Sequence, residues 1–160
     1  MGNMFAGSEI IEIGIQIEKN GKDFYDELVL KTPDKQAKEA FRELAAEEEK
    51  HIARFQKLLD GVTQYEPPEA YPGEYFAYMN ALASEHVFAQ KGKGKELAKK
   101  VKGCSEAIGL GLGFEKDSII FYYGMEKIVP EHDKRIVHEL VKEEQKHLKR
   151  LVELKKACRL

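Results

Sequence analysis

The 160-residue sequence is poor in cysteine, lacks tryptophan and carries almost no net charge. Its two cysteines, Cys104 and Cys158, form no Cys-x-x-Cys pair, which excludes a cysteine-ligated zinc or iron module and indicates no disulfide framework. A net charge of −2 creates no long-range field that would attract nucleic acid or an anionic membrane. No apolar run has the length of a membrane span, and the first residues lack the pattern of a signal peptide. We therefore expect a protein of the reducing cytoplasm that binds neither nucleic acid nor membranes.

The composition that remains is typical of a helical protein with a well-developed core. Hydrophobic residues make up 42% of the chain and charged residues 34%, with both signs interspersed as on solvated helix faces. A chain of this length can bury a sizeable core in one domain. We therefore predict a single all-α domain over residues 1–160.

A repeat within the chain is its most informative feature. Glu18 begins Glu-Lys-Asn-Gly-Lys-Asp-Phe-Tyr, and 97 residues later Glu115 begins Glu-Lys-Asp-Ser-Ile-Ile-Phe-Tyr. About thirty residues after each lone glutamate comes Glu-x-x-His in a helical pattern, first at Glu48 and then at Glu144. Each half of the repeat thus supplies one lone glutamate and one Glu-x-x-His pair.

The turn signals place these motifs on two helical hairpins. Helices are predicted over about 8–30, from Thr32-Pro33 to Asp60-Gly61, over about 105–128, and from near Pro130 to about 157. The first hairpin therefore covers 8–60 and the second 105–157. The long connection at 61–104 is expected to contain a helix near 74–90, a flexible break at 91–95 and a second short helix. A long crossover between two antiparallel hairpins is typical of one class of four-helix bundle, in which the connection lies along the bundle and covers an opening to it.

The apolar stripes of these helices are interrupted only where the repeated motifs lie. On the second helix, residues at a 4-3 spacing read Ala37, Phe41, Leu44, Glu48, His51, Phe55 and Leu58. The fourth helix reads Val137, Leu140, Glu144, His147, Leu151 and Leu154 in the same way, and each of the other two helices carries its lone glutamate in mid-stripe. We therefore expect four carboxylates and two imidazoles to meet in the core.

Six such groups in one core indicate a site for two metal ions. Unpaired buried carboxylates cost several kcal/mol each, and two divalent cations would balance four of them. The i, i+3 spacing allows Glu48 and Glu144 to bridge both metals while His51 and His147 bind one each, with terminal ligands at Glu18 and Glu115. Carboxylate and imidazole ligands suit iron or manganese better than calcium or magnesium. The residues therefore predict two ions of iron or manganese.

Other polar and glycine residues in these helices have open interpretations. Tyr25 and Tyr122 lie two turns from the lone glutamates, where core packing with a satisfied hydroxyl is favoured over a catalytic role next to the ligands. Neighbouring glutamates at 47, 49 and 143 are expected to be solvated. The histidines at 86, 132 and 138 are expected at the surface or in ordinary packing, with His86 as an alternative capping ligand. Three glycines of the third helix favour close helix packing, within the bundle or across a dimer, over local pliability: Gly109, Gly111 and Gly113.

These motifs, Glu18-x-x-Gly-x-x-Phe-Tyr25, Glu48-x-x-His51, Glu115-x-x-Ser-x-x-Phe-Tyr122 and Glu144-x-x-His147, resemble the rubrerythrin-like branch of the ferritin-like superfamily. The resemblance spans residues 8–157 apart from the crossover. It implies a ferritin-like four-helix bundle whose di-iron site reduces hydrogen peroxide or dioxygen as protection against oxidative stress. It also implies a homodimer and external electrons that re-reduce the metals.

Two departures from the family pattern qualify this expectation. Classical rubrerythrins carry a rubredoxin domain with two Cys-x-x-Cys pairs, and this chain has none, so the electron donor is expected to be a separate rubredoxin-like protein. Where rubrerythrins tend to have an additional metal-binding glutamate on the third helix, this chain has Ser118.

The alternative function is iron oxidation and storage, as in ferritin. A third possibility, a structural bundle without metal, is disfavoured because it would leave the buried carboxylates without compensating charge.

Overall fold

The structure, a computed structural model, describes residues 7–62 and 73–158. Within these ranges the chain forms α-helices, short 3-10 turns and connecting loops. The helices are α1 (Gly7–Lys31), α2 (Lys35–Val62), α3 (Gly73–Glu85), α4 (Lys93–Lys100), α5 (Cys104–Met125) and α6 (Lys134–Ala157).

Four of these helices form a bundle built from two antiparallel hairpins. Helix α1 packs along α2 and helix α5 along α6, while α1 with α5 and α2 with α6 close the bundle between the hairpins. The core is filled by the predicted apolar stripes and by aromatic side chains that are almost fully buried, among them Phe24, Phe41, Phe55 and Phe121. The predicted all-α four-helix bundle with a long crossover is confirmed.

Helices α2 and α6 begin later than the sequence indicated. The residue that caps α2 is Asp34, whose Oδ1 accepts a hydrogen bond from the backbone N–H of Ala37 at 2.7 Å, two residues after the predicted start at Thr32. Before α6, a 3-10 turn over Glu131–Asp133 follows Pro130, and the α-helix starts only at Lys134. An aspartate three residues before a free N–H competes well with threonine as a cap, which explains the shift at α2.

The crossover is held against α1 by the buried side chain of Asn20 and by the exposed side chain of Lys31. The amide of Asn20 donates to the carbonyl oxygens of Phe88 and Gln90, each at 2.6 Å, and its Oδ1 accepts from the N–H of Gly94 at 3.0 Å. Farther along α1, the ammonium of Lys31 donates to three carbonyl oxygens at the end of α4, at 2.8 to 2.9 Å. The segment at 91–95, which was predicted to be a flexible break, therefore contains the start of α4. This helix start is held on α1 because Asn20 accepts the hydrogen bond from the Gly94 N–H.

The two cysteines are joined, which the sequence analysis did not predict. Cys104 begins α5 and Cys158 follows α6, and a disulfide links them with their Cα atoms 6.1 Å apart. They are distant in sequence but adjacent in space because α5 and α6 are antiparallel. The expectation of a reducing cytoplasm rested partly on unpaired cysteines, so the compartment stays a prediction. None of the helices in the described ranges is long and apolar enough to cross a membrane.

Candidate metal centre

The structure brings all six predicted ligands to one level of the bundle core. One glutamate comes from each of α1 and α5, and a Glu-x-x-His pair comes from each of α2 and α6. Each of these residues is at most 4% exposed, and they are Glu18, Glu48, His51, Glu115, Glu144 and His147.

These side chains form two overlapping groups of four. Ligand atoms within one group all lie within 4.8 Å of one another. The first group contains Glu18 and His51, the second contains Glu115 and His147, and both contain Glu48 and Glu144. The two groups thus share two carboxylates, and each has its own glutamate and histidine as further potential metal ligands.

Both histidine rings direct the same nitrogen into the cluster. The Nδ1 atom of His51 lies 2.8 Å from Glu144 Oε1 and 3.2 Å from an oxygen of both Glu18 and Glu48. The Nδ1 atom of His147 lies 3.2 Å from Glu144 Oε2 and 3.4 Å from Glu48 Oε1. The two rings stack with their centroids 5.3 Å apart, so the pseudo-symmetry of the repeat extends to the side-chain rotamers.

The outer nitrogen of each histidine contacts a glutamate from the opposite hairpin. His51 Nε2 lies 2.7 Å from Glu143 Oε2, and His147 Nε2 lies 2.7 Å from Glu47 Oε2. Arg54 donates to the same Glu143 oxygen at 2.7 Å. A carboxylate on the outer nitrogen fixes the ring orientation and directs the other nitrogen inward as a ligand.

These two outer glutamates are partly exposed to solvent, as predicted for solvated neighbours, but their contacts with the histidines were not predicted. The signal that identifies them is in the repeat, because each immediately precedes a ligand glutamate in Glu-Glu-x-x-His, at residues 47–51 and 143–147. A residue directly before a core position lies at the edge of the buried face of a helix, where its side chain reaches a neighbouring helix.

Two tyrosines donate hydrogen bonds to the lone glutamates across the bundle. The hydroxyl of Tyr25 on α1 donates to Glu115 Oε1 on α5 at 2.5 Å, and the hydroxyl of Tyr122 on α5 donates to Glu18 on α1. Burial raises the pKa of both phenols well above the ordinary value, and the neighbouring glutamates raise it further. The tyrosines are thus core residues whose hydroxyls are hydrogen-bonded, and they also orient two carboxylates of the cluster.

The crowding of buried charges perturbs every titratable member of the cluster. Burial and then neighbouring carboxylates raise the pKa of both Glu18 and Glu115 well above the usual value. Burial alone would lower the pKa of His51 and of His147, but the surrounding glutamates outweigh it and raise both strongly. In the absence of a cation the cluster retains protons that a metal would displace.

The donor set fits two divalent metal ions. His147 Nδ1 and Glu144 Oε1 are buried and make no hydrogen bond of normal geometry, although His51 Nδ1 lies 2.8 Å from this glutamate oxygen. Buried polar atoms of this kind normally have partners, so these two are placed as ligands are. Oxygen and imidazole nitrogen suit iron and manganese, and two divalent ions would balance four carboxylates.

A small cavity adjoins the cluster on the side of the crossover. It measures about 10 Å³, which is room for one water-sized molecule. Its walls include Gly21 and Ser118 beside the ligands, and Phe88 of the crossover, which stacks on Phe114 of α5 with 3.7 Å between ring centroids. The crossover therefore forms part of the wall of this cavity. A larger cavity of about 160 Å³ lies at the outer nitrogens of the two histidines and is lined by Glu47, His51, Glu143 and His147.

The remaining polar candidates separate into buried and exposed residues. The side chains of His132 and His138 are 76% and 53% exposed, as expected for surface residues. His86 is buried in the crossover and lies outside both groups of four, where it contacts Ser118. Asn20, which anchors the crossover two residues after Glu18, was not singled out from the sequence because a lone asparagine carries no pattern.

The three glycines of α5 lie in different environments. Gly111 is buried, and an added Cβ would come 3.2 Å from Leu151 and 3.4 Å from the Tyr25 hydroxyl, so close packing accounts for it. An added Cβ at Gly109 or Gly113 would meet nothing within 4 Å, and both residues face outward. Packing within this chain therefore explains the glycine at position 111 and does not explain those at positions 109 and 113.

Replacing Glu143 with glutamine is expected to weaken metal binding. The neutral amide no longer stabilises the Nε2–H of His51, and loss of such a partner typically costs 10- to 100-fold in metal affinity. Competition with a chelator, followed by elemental analysis, measures the change. The matched control is Glu139→Gln on the same helix, where the carboxylate pairs with Arg135 at the surface. Equal affinity in the two variants would contradict the positioning role.

Comparisons with known proteins agree with this geometry. The family model described as Rubrerythrin matches residues 9–155 of the chain. Among solved structures, the chain is similar to a Thermotoga maritima protein assigned to the ferritin-like diiron-carboxylate class, with 25% identity, 98% coverage of each chain and a TM-score of 0.70. The search of curated proteins found no match. The predicted ferritin-like fold is confirmed.

Proposed function

Because the chain belongs to the rubrerythrin family, we propose that it is a di-iron oxidoreductase that reduces hydrogen peroxide or dioxygen, in protection against oxidative stress. The observation that carries the proposal is the buried, pseudo-symmetric cluster of four carboxylates and two imidazoles beside a cavity of about 10 Å³. A cavity of that size has room for a molecule about as large as water and excludes a bulky organic substrate.

The residues of the cluster would hold the two irons in fixed positions. Glu48 and Glu144 would bridge the ions, while Glu18 with His51 and Glu115 with His147 would complete one ligand set each. When bound, two ferrous ions supply the two electrons that convert hydrogen peroxide and two protons into two molecules of water. We propose iron as the native metal, with manganese as the alternative.

Other side chains would control the surroundings of the reaction. The phenol hydroxyls of Tyr25 and Tyr122 orient Glu115 and Glu18 and keep their protons, because both phenol pKa values are raised. The stacked rings of Phe88 and Phe114 exclude bulk water from the cavity. These groups support reaction with a small oxidant and oppose leakage of reactive oxygen to other parts of the protein.

The proposed electron donor is a separate rubredoxin-like protein. The two cysteines of this sequence are joined to each other, and a rubredoxin centre needs four thiolates. Electrons for the next turnover would come from that protein.

We also propose that the chain forms a homodimer through the outward face of α5. Residues 109, 113, 120 and 123 follow a helical spacing on this face, where Ile120 and Tyr123 are 47% and 50% exposed. The uncovered glycines at 109 and 113 leave room for the close approach of a second helix. Sedimentation equilibrium should give twice the mass of one chain, and replacement of Ile120 by lysine should give a monomer.

The proposed function is tested by metal analysis and by rapid mixing. Protein purified without added metal should hold about two irons per chain. After anaerobic reduction, mixing with peroxide should oxidise two ferrous ions per peroxide consumed, and mixing with dioxygen gives the rate of the competing reaction. Uptake of many irons per chain into a large assembly would instead support iron storage. Failure to bind ferrous iron would contradict both functions.

A further inference from the structure

The crossover places a buried histidine on the cavity side of the centre. His86 is 2% exposed and directly precedes the 3-10 turn Val87–Ala89. Its Nδ1 accepts a hydrogen bond from the backbone N–H of Phe88 at 3.2 Å, and its Nε2 lies 3.1 Å from the Oγ of Ser118 on α5. Because Nδ1 is the acceptor, the hydrogen of the neutral ring resides on Nε2 and is donated to Ser118.

The neutral state of this ring has a physical basis. Burial lowers the pKa of His86 to about 4, and the opposing effect of Glu144 is smaller. A neutral imidazole has one donor and one acceptor, and both are used here. The contact between His86 and Ser118 is therefore directional, with the serine oxygen as acceptor.

The hydroxyl hydrogen of Ser118 is not used in the contact with His86. A serine hydroxyl has one hydrogen to donate, and no hydrogen bond from this hydroxyl to another group occurs within residues 7–62 and 73–158. The residue lies one turn after Glu115 on α5 and lines the same cavity as four of the six ligands. In the first repeat the equivalent position is Gly21, so of these two residues only Ser118 brings a hydroxyl to the cavity. The other hydroxyl on its wall, that of Tyr25, already donates its hydrogen to Glu115.

We propose that Ser118 donates a hydrogen bond to a small oxygen or nitrogen species held in this cavity, and that His86 positions the serine hydroxyl for it. This inference rests on the proposed function, since it assigns a binding residue to the oxidant of the same centre. Ser118 would touch the substrate directly. His86 would act through Ser118, and a role as capping ligand does not fit, because its Nε2 is engaged by the serine.

The position of the pair is set by the anchored crossover. Asn20 holds the carbonyl groups of Phe88 and Gln90 from α1, and the Phe88 ring packs on Phe114. His86 thus lies between a fixed turn and the wall of the cavity. A hydroxyl held in this way is pre-organised, so the hydrogen bond to a ligand needs no rearrangement of the protein.

Binding of azide to the iron-loaded protein tests the proposal directly. Azide is a small anion that accepts hydrogen bonds, and its affinity is measured by optical titration. Replacing Ser118 with alanine should weaken azide about tenfold, the usual effect of one lost hydrogen bond. Ser118→Thr, which keeps a hydroxyl, should restore most of the affinity, and His86→Phe should weaken azide because the hydroxyl loses its orientation.

Three results would overturn the inference. Unchanged azide affinity in Ser118→Ala would show that the hydroxyl does not contact the ligand, and equal weakening in the alanine and threonine variants would indicate packing alone. In the metal-free protein, nitrogen-15 shifts should show the Nε2–H tautomer of His86, and the Nδ1–H tautomer would contradict the assigned direction. Iron content is measured in each sample, so a chain that binds no iron contradicts the proposed function instead.

Discussion

Replacing Glu48 with glutamine is expected to reduce the iron content from about two per chain to less than a tenth of that value. Glu48 belongs to both groups of four ligand atoms and is almost fully buried. Glutamine has nearly the same shape, so the fold is retained, but a bridging carboxylate and one compensating charge are lost at both positions. Elemental analysis of the purified variant measures the effect.

Thermal unfolding provides a second measurement of the same change. A ligand at 1,000 times its Kd stabilises the folded state by about 4 kcal/mol, which for a chain of this size raises Tm by ~10 °C. We expect iron to produce such a rise in the parent protein and almost none in Glu48→Gln. Glu49→Gln is the matched control, because Glu49 is the exposed neighbour on the same helix. An equal rise in parent and Glu48→Gln would contradict the bridging role.

Replacing Gly94 with alanine is expected to detach the crossover from the bundle. An added Cβ would overlap the backbone carbonyl of Asn20 and come within 2.9 Å of its Cα. Because the obstacle is backbone within a helix, no rotation of a side chain relieves it. The N–H of Gly94 would also lose the Asn20 side chain that accepts its hydrogen bond.

The expected cost of this substitution is about 3 kcal/mol, at the upper end for overpacking, and a fall in Tm of about 6–12 °C. Amide hydrogen exchange should rise over residues 86–100, and access of azide to the iron-loaded centre should become faster. Gly103→Ala is the control, since a Cβ there meets nothing within 4 Å and the backbone is extended. Unchanged exchange in Gly94→Ala would show that the crossover does not depend on this contact.

The sequence was most informative about the elements that repeat. A metal centre needs several ligands at one level of the core, and a duplicated hairpin shows them twice, at Glu18 and Glu115 and in the two Glu-x-x-His pairs. The helical period then predicts that these residues share the buried face of their helices. The structure brings them together, and the family match agrees with the resemblance carried by the same motifs.

The sequence was least informative where a contact joins segments without a local pattern. Cys104 and Cys158 meet only because two helix ends lie side by side, and Asn20 meets the crossover only because that segment folds back on α1. The roles of Glu47 and Glu143 depend on which hairpin faces which, since each reaches a histidine of the other hairpin. A sequence shows spacing along one helix and carries no direct record of the neighbour across an interface.

The sequence by itself determined the class of the protein, the four bundle helices and the identity of the six residues that form the cluster. These follow from periodicity and buried charge, which are properties of each helix taken alone. The tertiary structure decided the surroundings of the cluster: the outer partners of the histidines, the size of the cavity, and the placement of His86 against Ser118. Those features arise from packing between helices and from the path of the crossover. Both depend on contacts between residues that are far apart in the sequence, and no local pattern in the sequence shows such contacts.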